Sequence, residues 1–340
     1  MDNVSVKKNL YRLTLPIFID IALVMLLGAV DTVMLSRYSD NAVAAVGLDN
    51  QLISFVFLIY QFVSMGAAIL CAQYYGAGYR TRFMQIVGIA VVVNTLLGLS
   101  VSCALWLWAE PILTAFGLRE DLMADGVRYL EIAGSLSFLQ AISLTFSASL
   151  RSTGKTIKPM MSTVAVNILN ILGNYALIFG HWGFPAMGVE GAAWATAGSR
   201  LASAVILACF MTSVWRTSVK EKKTLNLTPR GIVFHTLRAS YFVISLPFKV
   251  VFRSASAARS MLSSYRRYFS PFPWQEMKNL FHIGIPAMSE EMSYSLSQIV
   301  ITYFINQLST EALTTKVYCT TTITFVILFS TSIVQAGDIL

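Results

Sequence analysis

Residues 86–109 read IVGIAVVVNTLLGLSVSCALWLWA, and none of these side chains carries a charge. A helix of about 20 residues crosses the roughly 30 Å hydrocarbon core of a bilayer, so this stretch is long enough to span a membrane. Other charge-free runs of similar length lie at 50–79, 132–150, 159–180, 292–310 and 317–337. The sequence therefore predicts an all-α, multi-pass membrane protein.

The composition of the whole chain supports the same class. Apolar residues make up 56% of the 340 residues and charged residues only 12%, about half the charged share of a globular protein. This excludes soluble, fibrous, disordered and disulfide-scaffold proteins. The four cysteines lie inside apolar segments without a CxxC spacing, so we interpret them as small buried hydrophobic side chains.

The loops predict how the chain is oriented. The expected spans are 13–36, 46–72, 85–109, 127–150, 157–180, 189–215, 280–307 and 313–340. If every second loop is assigned to the side of the N-terminus, that side holds 20 of the 25 Lys and Arg residues, whereas the loop at 110–125 is acidic. The positive-inside rule then places the N-terminus in the cytoplasm. The net charge of +8 is thus a topology signal, and no nucleic-acid partner is expected.

The spans fall into three parts along the chain. We predict a six-helix transmembrane bundle over 1–215, a basic cytoplasmic linker over 216–279, and the first two helices of a second bundle over 280–340. The linker contains an apolar stretch, 239–252, that is too short to cross a bilayer. An interfacial helix and an unstructured linker are both compatible with it.

An internal repeat relates the two transmembrane parts. At an offset of 270, residues 16–70 align with 286–340 without a gap, and Pro16 coincides with Pro286 and Asp20 with Glu290. Six spans lie between the two starts, so both copies enter the membrane from the same side. Transporters built from parallel repeats place their substrate sites between the halves.

Several motifs, taken in order, resemble the multidrug and toxic compound extrusion (MATE) family. They are Leu15-Pro16, DTVM at 31–34, AVAAVGL at 42–48, LRSTGK at 150–155, residues 170–180 with GFPAMGVEGAA at 183–193, and GIPA at 284–287. The resemblance implies a fold of twelve helices in two bundles, whereas this chain stops within the eighth expected span. From this we expect a C-terminally truncated transporter.

Two carboxylates on the first span are the leading candidates for ion coupling, because charges inside a membrane are costly and usually functional. Asp20 and Asp31 are eleven residues apart, which places them on one helix face and about 16 Å apart in depth. The resemblance implies that Asp31 couples transport to protons or sodium. An interfacial position near the cytoplasm is an equal alternative for Asp20.

Arg200 in the sixth span is a third candidate for ion coupling. Its depth differs from that of Asp31 by roughly 9 Å, which a long arginine side chain can bridge. We predict an Asp31–Arg200 charge pair. The alternative is that Arg200 extends towards the membrane surface or pairs with Glu190, in a purely structural role.

Polar stripes on the fifth and seventh spans are the candidates for the substrate cavity. Asn170 and Asn174 recur at helical spacing with Asn167 and could equally serve interhelical hydrogen bonds. The resemblance implies that related proton-coupled transporters place Asp where Asn174 stands. The seventh span contributes Glu290, Glu291, Tyr294 and Gln298.

These features together predict a secondary transporter rather than an enzyme. Nucleotide-binding and catalytic motifs are missing from the sequence. We expect a proton- or sodium-coupled antiporter of the plasma (inner) membrane that exports drugs or other organic, often cationic, compounds without a cofactor; its oligomeric state is not predicted. Alternatives are a flippase for lipid-linked precursors, an inactive truncated fragment and, ranked last, a membrane receptor or scaffold.

Overall fold

A computed structural model describes residues 3–118, 120–221, 274–308, 323 and 326–337. Regular structure within this part of the chain is entirely helical, as expected. The predicted linker lies mostly outside the described residues, as does the loop that would join the seventh and eighth spans.

The chain forms ten α-helices and one π-helical turn in these residues. They are α1 (Asn3–Ser36), α2 (Asp40–Gly76), α3 (Arg80–Leu107), α4 (Ala109–Ala115), α5 (Glu120–Tyr129), the π turn (Leu130–Gly134), α6 (Phe138–Arg151), α7 (Ile157–Phe179), α8 (Gly188–Glu221), α9 (Trp274–Leu308) and α10 (Val326–Gly337).

Five of the described helices are long and apolar enough to cross a membrane. They are Leu10–Ser36, Asp40–Gly76, Arg82–Leu107, Ile157–Phe179 and Gly188–Val214. A sixth span is formed by α5, the π turn and α6 if this bent pair counts as one. The α9 helix covers the expected seventh span but does not meet the same criterion, because its polar residues lower its hydropathy.

The fourth expected span is the one that departs from a straight helix. A bend of 46° separates Glu120–Gly134 from Phe138–Arg151. The π turn precedes the bend, and Ser137 lies within it as a fully buried residue. π turns interrupt the regular pattern of backbone hydrogen bonds and recur at functional positions. The sequence predicts a span over 127–150 but gives no sign of this bend.

Two apolar clusters make up the core of the first bundle. One is built around Phe83, Ile86 and Phe146 towards the end of the bundle where α6 ends. The other surrounds Ile53, Leu113 and Leu130 towards the opposite end. The bundle is thus held by ordinary apolar packing at both ends.

A buried polar network lies where the two clusters meet. The Asn94 amide donates to Ser64 Oγ at 2.9 Å and to Thr145 Oγ1 at 2.8 Å, and the Tyr60 hydroxyl contacts Ser137 Oγ at 2.9 Å. Ser102 Oγ contacts Ser137 Oγ at 3.0 Å and accepts from the backbone N–H of Phe138. These bonds join α2 and α3 to the bend before α6, and they satisfy backbone groups that the bend frees.

The two transmembrane parts touch through two reciprocal pairs of helices, α2 with α9 and α1 with α10. The α2 and α9 helices cross at Gly66, where an added Cβ would lie only 2.6 Å from the carbonyl oxygen of Leu280. Phe62 and Phe281 stack beside this crossing with ring centroids 6.0 Å apart, and Phe18 of α1 meets Phe329 of α10 at the same separation. In the repeat, α9 corresponds to α1 and α10 to α2.

Candidate functional site

Asp31 lies at one end of a hydrogen-bonded group formed by α1, α7 and α8. The Asn174 amide of α7 donates to Asp31 Oδ1 at 2.7 Å and to Asn170 Oδ1 at 3.0 Å. Asn170 in turn contacts Thr196 Oγ1 at 3.5 Å and Ser199 Oγ at 3.4 Å on α8. We call these residues the Asp31 site: Asp31, Asn170, Asn174, Thr196 and Ser199.

The asparagine stripe of α7 positions this site. Asn167, three residues before Asn170, donates to the backbone carbonyl of Leu23 at 2.7 Å and so fixes α7 against α1. Gly180 ends α7 in a left-handed conformation (φ 73°), which favours glycine. The stripe expected from the sequence therefore makes interhelical hydrogen bonds, and one of its members reaches a carboxylate.

Arg200 does not form the predicted ion pair with Asp31. Its Nη1 donates instead to the backbone carbonyl of Ala133 in the π turn at 2.9 Å, and its guanidinium lies 5.1 Å from the ring centroid of Phe57. The break in the helix after Gly134 makes this carbonyl available, which the sequence did not reveal. The two charges remain within electrostatic reach of each other.

The alternative partner for Arg200 was also wrong. Glu190 pairs with Arg128 of α5 instead, at 3.4 Å between Arg128 Nε and Glu190 Oε1. Arg128 also reaches Glu131 at 3.8 Å; Arg128 and Glu190 are exposed, and Glu131 is partly exposed.

Asp20 belongs to a different part of the molecule from Asp31, although both lie on α1. It is only 3% exposed and forms an ion pair with Arg151 at the end of α6. A second guanidinium nitrogen of Arg151, Nη1, donates to Gln335 Oε1 of α10 at 3.1 Å. One arginine thus joins α1 and α6 of the first bundle to a helix of the second part.

The residues predicted on the seventh span are not brought to the Asp31 site by any described contact. Tyr294 lies on α9 with 59% of its side chain exposed. Glu290, Glu291 and Gln298 lie on the same helix, but their side chains fall outside the described part of the structure.

Sequence reasoning missed the polar network around Asn94 and the role of Arg151. Asn94 and Tyr60 are isolated polar residues within apolar runs, and such residues indicate buried hydrogen bonding. Arg151 had been counted only as a basic loop residue. The contacts of Arg151 with Asp20 and Gln335 could not be found from spacing, because they join residues that are far apart in the chain.

The fold and the site define a multi-pass membrane protein in which a carboxylate is held between helices. Comparisons with known proteins agree with this class. The MatE family model matches residues 16–176. Over this region the chain is similar to the MATE family.

Two relatives extend the match. The chain is 34% identical over 332 residues to the uncharacterized transporter YisQ of Bacillus subtilis, covering 98% of this chain and 63% of YisQ. It is 38% identical over 206 residues to the probable multidrug resistance protein NorM of Thermotoga maritima, covering 60% of this chain and 44% of that protein. The chain thus spans less than two thirds of the length of either relative.

A solved structure shows the same fold. The Vibrio cholerae MATE transporter VcmN in its bent form superimposes with a TM-score of 0.75 at 18% identity, over 98% of this chain and 64% of that one. The expected MATE-like, all-α fold is therefore confirmed.

Proposed function

We propose that the chain is part of an ion-coupled antiporter that exports organic cations, with Asp31 as the coupling residue. The observation that carries the proposal is the Asn174–Asp31 hydrogen bond inside a network of α1, α7 and α8. A carboxylate held by an amide within a bundle can take up a proton or a sodium ion, and it can exchange that ion for a cationic substrate.

The charges around Asp31 favour cationic cargo over an anionic one. Arg200 is the cation within reach of Asp31, and its guanidinium already donates to the Ala133 carbonyl. A flippase for lipid-linked pyrophosphates would need unengaged basic groups in its cavity. The relative from Thermotoga maritima carries the name of a multidrug resistance protein, which supports drug-like substrates.

The contacts of the first bundle with α9 and α10 indicate on which side of the membrane the space between the two parts is closed. Arg151 and Gln335 meet at the end of the bundle that the basic loops assign to the cytoplasm. Gly66, where α2 crosses α9, lies in the C-terminal half of α2, and the basic loops assign the end of this helix to the same side. We infer an N-terminus in the cytoplasm, an arrangement closed on that side, and alternating access in which these contacts open and re-form.

Gradient-driven transport in vesicles tests this function. Vesicles of neutral lipid containing the purified chain should move a fluorescent organic cation against its own gradient when a pH or sodium gradient is imposed. Imposing the two gradients separately identifies the ion. Transport that continues unchanged after both gradients are collapsed would contradict coupling, and accumulation of a lipid-linked pyrophosphate in place of the cation would favour the flippase.

A further inference from the structure

Asp49 is a buried carboxyl group that the Asp31 site does not use. It lies nine residues after the start of α2, about 13 Å along the helix. Its side chain is 0% exposed, and neither carboxyl oxygen has a hydrogen-bond partner. Buried polar atoms are almost always paired, so a carboxyl with two unpaired oxygens requires a physical explanation.

The space around this carboxyl is shaped by α5. A Cβ added to Gly126 of α5 would lie 3.7 Å from Asp49 Oδ2. The same Cβ would lie 2.6 Å from Leu118 Cδ2 and 3.3 Å from Leu113 Cδ1. The glycine therefore allows α5 to approach Asp49 closely, and leucine methyl groups occupy the neighbouring space.

Arg128 and Arg200, on the neighbouring helices α5 and α8, are engaged elsewhere. On α5, Arg128 pairs with Glu131 and Glu190, and on α8, Arg200 donates to the Ala133 carbonyl. Tyr129 of α5 lies within electrostatic reach of Asp49, but its hydroxyl donates to Asn50 Oδ1 at 3.2 Å.

The carboxyl groups of α1 also have partners other than Asp49. Asp31, also within reach of Tyr129, accepts from Asn174, and Asp20 pairs with Arg151. Within the described residues, no cation forms an ion pair with Asp49.

The structure assigns to Asp49 the role of a proton-binding site. An ionised carboxylate without water, cation or hydrogen-bond donor is far more costly to bury than a neutral acid. The carboxyl therefore holds a proton while α2 and α5 are packed together. It releases that proton only when the two helices separate enough for water to reach it, so proton binding is linked to the α2–α5 contact.

This site is independent of the proposed transport function. Asp31 has a donor in Asn174 and contacts the polar face of α7, whereas Asp49 has neither a donor nor an acceptor. The proton on Asp49 is therefore testable without any substrate or gradient.

Infrared difference spectroscopy detects the proton directly. The purified chain carrying Asp31→Asn, which removes the other carboxyl near Tyr129, is compared at neutral pH with the same chain carrying Asp49→Asn in addition. We expect the second variant to lose one protonated-carboxyl C=O band that shifts in D2O. The matched control, Asp40→Asn at the exposed start of α2, should keep the band. Identical carboxyl bands with and without Asp49 would overturn the proposal.

A second variant, Asp49→Leu, keeps the proposal testable if the Asp49→Asn chain fails to fold. Leucine has nearly the shape of aspartic acid, and replacing an unpaired buried acid by an apolar group of the same shape is neutral or stabilising. The thermal unfolding midpoint of Asp49→Leu at neutral pH should therefore equal or exceed that of the wild type. A fall of ten degrees or more would show that the carboxyl makes stabilising polar contacts, and it would contradict a neutral, unpartnered acid.

Discussion

Substituting Asp31 by asparagine abolishes gradient-driven transport if Asp31 is the coupling residue, and we expect the rate to fall to that of vesicles without protein. Asparagine has the same shape, and its side-chain oxygen can still accept the Asn174 hydrogen bond. The change therefore removes the titratable, negatively charged group and keeps the geometry. The measurement is the initial rate of cation uptake into vesicles under an imposed pH or sodium gradient.

The matched control for this variant is Asp40→Asn. Asp40 is an exposed carboxylate at the first turn of α2, so it shares the chemistry of Asp31 without its buried surroundings. Its substitution should leave the uptake rate within about twofold of the wild type, because an exposed charge contributes little. Full uptake by the Asp31→Asn chain would remove Asp31 from the coupling mechanism.

Reversing the charge of Asp20 should prevent stable folding of the chain. Asp20 is almost completely buried against Arg151, whose side chain is 26% exposed, so Asp20→Arg places two cations side by side where little solvent reaches them. Breaking a buried ion pair costs about 3–5 kcal/mol, which is comparable to the total stability of many domains. The measurement is the thermal unfolding midpoint in detergent, followed by the monodisperse fraction on size exclusion.

Two further variants distinguish loss of the Asp20–Arg151 ion pair from a non-specific loss of stability. Exchanging the charges in the double variant Asp20→Arg/Arg151→Asp should recover most of the loss. The exposed ion pair of Arg128 with Glu190 provides a contrast, since Arg128→Gln should cost only about 0–1 kcal/mol. Equal losses from Arg128→Gln and Arg151→Gln would contradict the distinction between a buried and an exposed pair.

The overall class and the helix positions could be predicted from the sequence because they depend on local properties. A charge-free run of membrane length specifies a spanning helix whatever lies next to it, and residues 86–109 form one. The asparagine stripe of α7 could be predicted for the same reason, since helical spacing alone places Asn167, Asn170 and Asn174 on one face.

The partners of the charged residues could not be predicted, because they depend on tertiary geometry. The expected partner of Arg200 was Asp31, but the break after the π turn offers the carbonyl of Ala133 instead. That prediction used only the depths of Asp31 and Arg200 along their own helices, which do not reveal an available carbonyl on a neighbouring element. Asp20 and Asp31 were expected to act on one face, yet one meets the end of α6 and the other meets α7.

Asp49 illustrates the limit of sequence reasoning most clearly. It lies directly after an apolar run that resembles a family motif and close to residue 46, where the second span is expected from the sequence to begin, and an acidic residue is ordinary at such a position. Only the close approach of α5 at Gly126 shows that the carboxyl is enclosed.

The pH dependence of substrate affinity tests the central claim most directly. Binding of a fluorescent organic cation to the purified chain in detergent is measured across a range of pH, at fixed salt, for the wild type and for Asp31→Asn. If Asp31 exchanges a proton for the substrate, the wild-type Kd rises up to tenfold for each unit by which the pH is lowered over the titration range, because one proton competes with one cation. The Asp31→Asn chain should bind weakly with a Kd independent of pH; equal, pH-dependent affinities in both chains would contradict the account.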